Sequence, residues 1–293
     1  MTMVLTLIAG ARARQIFSQL ADEVAGAIGI SGQTTWLAGD ACDLVFDATG
    51  PALAEGAARA LIGGADIDVL VQPVANRRKR LLVADMESTI IENEMLDELA
   101  DFLGLRPQIS EITRRAMNGE IDFAASLEAR VAMLAGLSDR VLEMAAERIR
   151  PTAGARQLVA TMRSAGAVTA LVSSGFTIFA ERLAAQLGFD RVVANRLELT
   201  GGRLAGRIAR PIVSGETKRQ ILLALAAEHA VPLEQTMAVG DGANDLPMLA
   251  AAGIGIAFRA KPIVASGARW RLDHADLTGL LYAQGYRRDE IVG

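Results

Sequence analysis

The sequence predicts an α/β protein built from two parts. A small βαββαβ domain over residues 1–76 precedes a parallel sheet over residues 77–293, and a helical insert at about 94–153 interrupts this sheet after its first strand. Three observations support this prediction. Short apolar strands alternate with helical patterns, the stretch 94–153 has an almost wholly helical pattern, and several apolar strands end in acidic or Gly-rich loops.

Length and composition agree with this organisation. The 293 residues suggest about two domains at ~150 residues each, and a hydrophobic fraction of 51% excludes wholesale disorder. The net charge of −4 opposes nucleic-acid binding, which usually needs a basic surface. The single cysteine, Cys42, excludes an intrachain disulfide framework. The chain shows neither an apolar stretch long enough to span a membrane nor a basic segment typical of a secretory signal, so we expect a cytoplasmic protein that does not bind membranes.

The first part shows six elements. We expect strands at residues 4–9, 34–37, 43–47 and 67–71, and helices at 11–28 and 51–62. This order is typical of a ferredoxin-like or ACT-like regulatory module. The basic run at residues 76–80 could form a phosphate or nucleic-acid patch, but the acidic total favours a solvated linker.

The second part begins with an apolar strand at residues 81–84, of the kind that is buried on both faces of a parallel sheet. Further strands are expected at residues 168–172, 191–194, 236–239 and 253–258. The segment 195–208, with Gly201 and Gly202 at its centre, is predicted to form a hairpin that projects from the sheet.

The loop after the first of these strands contains Asp85, Glu87, Ser88 and Thr89. Two carboxylates at positions i and i+2 beyond a strand end can face one pocket, where one acts as nucleophile and the other transfers protons. The structural alternative for this segment is a helix-capping turn.

The loop after the strand at 236–239 is acidic and rich in glycine. Asp241 and Asp245 offer the hard oxygen ligands that Mg²⁺ prefers. Asp245 could instead cap the helix that follows it. A third strand ends in Ser173, Ser174 and Gly175, whose hydroxyl and N–H groups suit phosphate oxygens, although such turns are common.

Within the helical insert, Phe123, Leu127, Arg130 and Leu134 follow a 4-3-4 spacing and therefore share one face of a helix. On spacing alone, the Arg130 guanidinium either extends to the edge of this apolar face or points at an anion.

These segments resemble the haloacid dehalogenase superfamily of phosphotransferases. The first motif, DxDST, stands here as Asp85-Met86-Glu87-Ser88-Thr89, and the fourth, GDGxND, is complete at 240–245. Ser173 matches the second motif and Lys218 the third. The resemblance covers roughly residues 77–293 and implies a Rossmannoid sheet with a helical cap. In bacterial members of this superfamily an ACT-like module precedes this domain, and residues 1–76 resemble that module.

The insert is similar to the branch of the superfamily that hydrolyses O-phosphoserine in serine biosynthesis. The resemblance then implies a nucleophile at Asp85, an acid–base residue at Glu87, and Mg²⁺ held by Asp85, Asp241 and the main-chain carbonyl of Glu87. It implies substrate contacts from Glu94, Arg130, Ser173, Ser174, Lys218 and Asn244. Asp245, Gly175, Met117 and Phe123 are implied as secondary residues of the same site.

One position departs from the family pattern, because Glu87 stands where the family usually has Asp. The added methylene moves the carboxylate by ~1.5 Å unless the backbone compensates. Two alternatives stay open from the sequence: a phosphotransferase that uses homoserine or another small alcohol, and a serine-sensing regulatory protein with weak catalysis. The sequence leaves the oligomeric state open as well, a homo-oligomer included.

Overall fold

The computed structural model describes residues 1–29, 34–47 and 50–293. The first unit has the predicted βαββαβ order. Its elements are β1 (Thr2–Ala9), α1 (Phe17–Ala27), β2 (Thr35–Ala38), β3 (Ala41–Asp47), α2 (Pro51–Ile62) and β4 (Ile67–Pro73).

The four strands form an antiparallel sheet in the order β2-β3-β1-β4. One face of this sheet packs against the two helices, with Leu5, Leu7, Phe17 and Val24 in the shared core. Helix α1 begins at Phe17 rather than at residue 11, as the sequence had suggested. Tight turns closed by hydrogen bonds from Ala13 N to Gly10 O and from Ile16 N to Ala13 O occupy the intervening residues.

The second unit alternates strands and helices. Strand β5 (Leu81–Ala84) is followed by the helices α3 (Met95–Asp101), α4 (Arg106–Met117), α5 (Phe123–Met133), α6 (Asp139–Ala146) and α7 (Ala155–Ser164). Next come β6 (Val168–Phe176), α8 (Thr177–Leu187), β7 (Arg191–Asn195), the hairpin β8 (Leu197–Thr200) and β9 (Arg203–Ile208), and α9 (Gly215–Glu228). The chain ends with β10 (Thr236–Gly240), α10 (Leu246–Ala251), β11 (Ile254–Phe258), α11 (Pro262–Gly267), β12 (Trp270–Leu272) and α12 (Gly279–Ala283).

Six of these strands form a parallel sheet in the order β12-β11-β10-β5-β6-β7. Apolar side chains cover both of its faces, which explains why β5 and β10 are apolar throughout. The sequence did not predict β12, because three residues with an arginine in the middle are too short to show a pattern. The predicted hairpin is present, and β9 packs against α5 of the helical insert.

The basic run at 76–80 is a solvated linker only in part, because Asn76, Arg78 and Arg80 are exposed but Arg77 and Lys79 are not. Arg77 donates to Asp43 and to the carbonyl of Ala283 (2.9 Å), so it joins the two units. Lys79 is buried and donates to the carbonyls of Asn76 and Glu234, both at 2.8 Å. This short linker crosses the interface between the units, so Arg77 and Lys79 are withdrawn from solvent there with partners, whereas Arg78 and Arg80 stay exposed. Among the described residues, no helix is long and apolar enough to cross a membrane.

Candidate active site

Strands β10, β5 and β6 are neighbours in the parallel sheet, so their carboxyl ends lie side by side. Asp85 directly follows β5, Ser173 lies near the end of β6, and Asp241 directly follows β10. All three residues are at least 95% buried. The topology therefore brings together the three loops that the sequence singled out.

A buried lysine connects these loops. Lys218 lies in the first turn of α9, whose N-cap Ser214 accepts a hydrogen bond from Thr217 N. The Lys218 ammonium group donates to Asp85 Oδ1 at 2.6 Å and to Asp245 Oδ1 at 2.7 Å. Burial alone lowers the pKa of Lys218, but the two carboxylates outweigh it and the net pKa is raised. This lysine is therefore charged.

Three carboxylates gather around this lysine. One oxygen each from Asp85, Asp241 and Asp245 lies within 4.8 Å of the others. Burial and the neighbouring Asp245 and Asp241 raise the pKa of Asp85, while Lys218 opposes the rise. A dense set of hard oxygen atoms of this kind is chemically suited to Mg²⁺. The carboxylate of Glu87 does not belong to this group.

Asp245 does not cap the helix that follows it, which was the structural alternative. Its Oδ2 instead accepts hydrogen bonds from the preceding N–H groups of Asp241 (3.2 Å) and Gly242 (3.0 Å). Gly240 makes room for this carboxylate, because a Cβ there would lie 2.4 Å from Asp245 Cγ. The Gly-rich loop therefore folds around the Asp245 side chain.

Glu87 projects toward the start of the helical insert. Its Oε1 accepts a hydrogen bond from Met95 N at 2.8 Å, at the first residue of α3. Its Oε2 would lie 2.6 Å from a Cβ at position 175, so the absence of a side chain at Gly175 leaves space for the longer glutamate. Burial raises the pKa of Glu87, and the Met95 hydrogen bond opposes the rise. The raised pKa suits a group that exchanges a proton.

Glu94 lies next to Glu87, just before α3. Ser88 adopts a left-handed backbone conformation (φ 54°), and its hydroxyl donates to Glu94 Oε1 at 2.6 Å. Burial, together with the charges of Glu87 and Asp241, raises the pKa of Glu94 to about 8. A nearby cation would stabilise its charged form.

Arg130 is 2% exposed, so its side chain does not extend to solvent along the edge of α5. Its Nε donates to the Ser126 carbonyl at 3.1 Å and its Nη1 to Thr113 Oγ1 at 2.8 Å. Its Nη2 has no hydrogen-bond partner among the described residues. Burial lowers the pKa of Arg130, and the charges of Glu87 and Glu94 oppose the change. A buried donor without a partner costs free energy unless a ligand satisfies it.

The polar residues at the end of β6 form a further group. Ser173 Oγ accepts from Gly175 N at 2.8 Å, and Ser174 Oγ donates to the Val213 carbonyl at 2.9 Å. Asn244 Nδ2 donates to Ser174 Oγ at 3.3 Å, while Asn244 Oδ1 is buried without a partner among the described residues. The second and fourth motifs are therefore in direct contact.

The two secondary residues of the insert lie in different surroundings. Met117, at the end of α4, faces the Gly-rich loop, since its sulfur would lie 2.8 Å from a Cβ at Gly242. Phe123 is partly buried against the main core. The single cysteine and the two histidines of the chain lie elsewhere. Cys42 is buried in β3, His229 follows α9, and His274 lies 3.5 Å from Asp66.

The sequence missed Lys261. Its ammonium group donates to Asp241 Oδ2 at 2.7 Å, and its N–H donates to the Asp241 carbonyl at 3.0 Å. Thr89 Oγ1 donates to the other oxygen of the same carboxylate at 3.3 Å. The available signal was its position three residues after the apolar strand β11, at the same edge of the sheet.

Comparisons with known proteins identify similar sequences and structures. Residues 82–250 match the sequence model of the haloacid dehalogenase-like hydrolases. A phosphoserine phosphatase of Streptomyces coelicolor is 43% identical over 228 residues, which is 78% of this chain but 56% of that protein. This chain therefore spans about half the length of that relative.

Two solved structures are also similar. A haloacid dehalogenase family hydrolase from Salmonella enterica serovar Typhi superposes with a TM-score of 0.86 at 30% identity, over 99% of both chains. A substrate-bound phosphoserine phosphatase superposes with a TM-score of 0.67 at 38% identity, over 70% of this chain and 98% of the other.

Proposed function

Because this chain belongs to the haloacid dehalogenase-like hydrolases, we propose that it hydrolyses O-phospho-L-serine to L-serine and phosphate through an aspartyl-phosphate on Asp85. The observation that carries the substrate assignment is the buried Arg130, whose Nη2 has no partner among the described residues. The relatives of known activity named above are phosphatases. Transfer to another alcohol and a serine-sensing role are therefore not favoured.

Asp85 is the proposed nucleophile. Its Oδ1 is held by the Lys218 ammonium group at 2.6 Å, which leaves Oδ2 for attack on phosphorus. The lysine keeps the carboxylate ionised against the burial and the neighbouring acids that raise its pKa. The P–O bond to serine breaks as the bond to Asp85 Oδ2 forms, and an acyl phosphate results.

Glu87 is the proposed acid–base residue. Its raised pKa supports protonation of the departing serine oxygen in the first step. The same carboxylate, once deprotonated, takes a proton from the water that attacks the aspartyl-phosphate. The hydrogen bond from Met95 N holds the carboxylate at the base of the helical insert, so the proposed proton carrier is positioned by the insert itself.

The acidic cluster supports Mg²⁺ as the cofactor. The carboxylates of Asp85 and Asp241 would hold the ion together with the main-chain carbonyl of Glu87, and Asp245 would support the loop that carries Asp241. When bound, Mg²⁺ neutralises charge on the phosphoryl oxygens. Lys261 positions Asp241 by pairing with Oδ2, while Oδ1, which accepts one hydrogen bond from Thr89, keeps a second lone pair for the ion.

Recognition of the amino acid is assigned to the insert. The fork of Arg130 suits the serine carboxylate, because a guanidinium can donate two parallel hydrogen bonds. Glu94 would pair with the ammonium group, which would also keep its carboxylate ionised despite a pKa of about 8. Met117 and Phe123 would line the pocket between these groups and the loops.

The phosphoryl group would lie between the strand-end loops. Ser173, the N–H of Ser174, Asn244 and Lys218 are the proposed donors to its oxygens, with Gly175 allowing close approach.

We further propose that residues 1–76 form an ACT-like regulatory module. A role in serine biosynthesis and a cytoplasmic location stay predictions.

A panel of phosphomonoesters, with phosphate release measured in Mg²⁺, tests the function. We expect L-phosphoserine to have the highest kcat/KM, and acid quenching followed by peptide mass spectrometry to place a phosphoryl group on Asp85. Equal activity on all the phosphomonoesters would contradict the assignment of L-phosphoserine as the substrate. Hydrolysis without any phosphoryl group on Asp85 would contradict the mechanism. Hydrolysis that persists in an Asp85→Asn control would contradict it as well.

A further inference from the structure

A cavity of about 700 Å³ lies between the two units, away from the proposed active site. His274 and five charged side chains from the two units line it: Arg14, Asp40, Arg259, Asp276 and Arg288. Neither Asp85 nor Arg130 reaches it. The volume is that of a small-metabolite site.

The cations of this cavity are unequally paired. Arg14 pairs with Asp40 at 2.8 Å, so this pair is internally neutralised. Arg259 and Arg288 have no carboxylate within 4.0 Å in the described part of the chain. Asp276 uses Oδ1 to accept hydrogen bonds from the N–H and the hydroxyl of Thr278, which occupies half of its acceptor capacity.

Arg259 is held in place by its own backbone. It follows β11 and has a positive φ of 43°, a conformation that L residues rarely adopt. Its N–H donates to the Leu272 carbonyl at 2.8 Å, and its Nη2 donates to the Ala275 carbonyl at 3.0 Å. The remaining N–H groups of this guanidinium are therefore positioned before any ligand arrives.

We propose that this cavity binds a small organic anion with two acidic groups, a dicarboxylate or a phosphate ester, through Arg259 and Arg288. Two guanidinium groups without acidic partners, from segments far apart in the chain, suit two anionic groups on one molecule. The Arg14–Asp40 pair is contributed by the first unit to the lining of the same cavity. Occupancy would therefore bridge the two units, independently of the reaction at Asp85.

Isothermal titration of the full chain tests this proposal, with succinate in one arm and inorganic phosphate in the other. We expect one of these anions to bind, and Arg288→Gln and Arg259→Gln each to weaken its binding about tenfold, the loss of one charge-assisted contact. Arg287→Gln, at the adjacent exposed position, is the matched control and should bind as the unchanged protein does.

The two arms separate the sources of the charge, since succinate reports carboxylates and phosphate reports phosphoryl groups. Binding of either anion that depends on Arg288 supports the proposal. Phosphate binding that Arg288→Gln leaves unchanged shows that this anion does not bind through Arg288 and contradicts the proposal. Absence of binding by both anions up to about 10 mM, well above a millimolar Kd, also overturns it.

Discussion

Lys218 Nζ lies 2.6 Å from Asp85 Oδ1, in a position with no solvent access. The same nitrogen lies 2.7 Å from Asp245 Oδ1, so one buried cation holds the carboxylates that follow two neighbouring strands. Buried charges are tolerated only when they are paired in this way.

Replacement of this cation should affect both stability and turnover. Lys218→Met leaves two buried carboxylates without compensation, so we expect the free energy of unfolding to fall by ~3–5 kcal/mol and phosphate release to be lost. Urea denaturation and a phosphate assay measure the two effects. Arg219→Met, which breaks only an exposed pair with Glu216 at 2.7 Å, is the control and should change stability by less than ~1 kcal/mol. Equal effects from both variants would contradict the assignment.

Arg130 should control substrate choice. We expect Arg130→Ala to weaken phosphoserine binding by ~2–5 kcal/mol, the scale for truncating one partner of a buried charge pair. Turnover of p-nitrophenyl phosphate, which has no carboxylate or ammonium group, should fall far less. Steady-state kinetics on the two substrates measure the difference, with the exposed Arg114→Ala in the neighbouring helix as the control. If the variant loses the same fraction of activity on both substrates, Arg130 stabilises the fold or binds the phosphate instead.

Glu87 should carry the protons of both steps. Glu87→Gln keeps the size of the side chain but cannot transfer a proton, so turnover should fall by at least ~10²-fold. Glu87→Asp keeps the carboxylate and should retain substantial activity. Single-turnover and steady-state rates with L-phosphoserine and Mg²⁺ compare the variants. An active Gln variant, combined with loss of turnover in His229→Ala or His274→Ala, would assign the proton path to a histidine.

Gly175 should matter because of the length of Glu87. A Cβ at this position would lie 2.6 Å from Glu87 Oε2, and the flexible carboxylate would move rather than the backbone. We therefore expect Gly175→Ala to lower kcat roughly 10²-fold, the scale for a misplaced catalytic group, with little change in thermal stability. In a Glu87→Asp background the same substitution should cost less, because the shorter side chain leaves room. The contact with Ser173 Oγ at 3.0 Å is common to both backgrounds and cancels. Equal losses in the two backgrounds would refute this steric account.

Lys79 should make stability depend on pH. Burial lowers its pKa to about 8, against an ordinary value of 10.5, while Glu234 opposes the change. Between these values the unfolded chain binds the proton and the folded protein does not, so stability should rise with pH from about 8 to 10.5. The full difference corresponds to roughly 3 kcal/mol.

Chemical denaturation at several pH values measures this slope. Lys79→Met should remove its share of the slope, whereas the exposed Arg80→Met should leave the slope unchanged. Identical slopes in the protein and in the Lys79 variant would show that the lysine is not desolvated as the structure indicates.

Most of the order of the elements, with β12 as an exception, and the loops proposed to be catalytic could be predicted from the sequence. Apolar strands such as β5 and β10 are recognisable because both faces of a parallel sheet are buried, and a motif such as that at 240–245 is local in the chain. Asp85 and Asp241 could be named for that reason. Their adjacency followed from the rule that carboxyl ends of parallel strands share one edge.

The tertiary structure was needed to show which cations pair with which carboxylates and how the buried charges are balanced. Lys261 pairs with Asp241 across 20 residues, and Arg77 reaches Asp43 and the Ala283 carbonyl across the interface between the units. Neither contact can be recognised in the sequence, because a single cation does not form part of a periodic pattern of residues. For this reason the sequence predicted a solvated linker at 76–80, which is wrong for Arg77 and Lys79. Burial of a charge depends on how two separately formed units pack, and this packing is a property of the fold and not of any local segment.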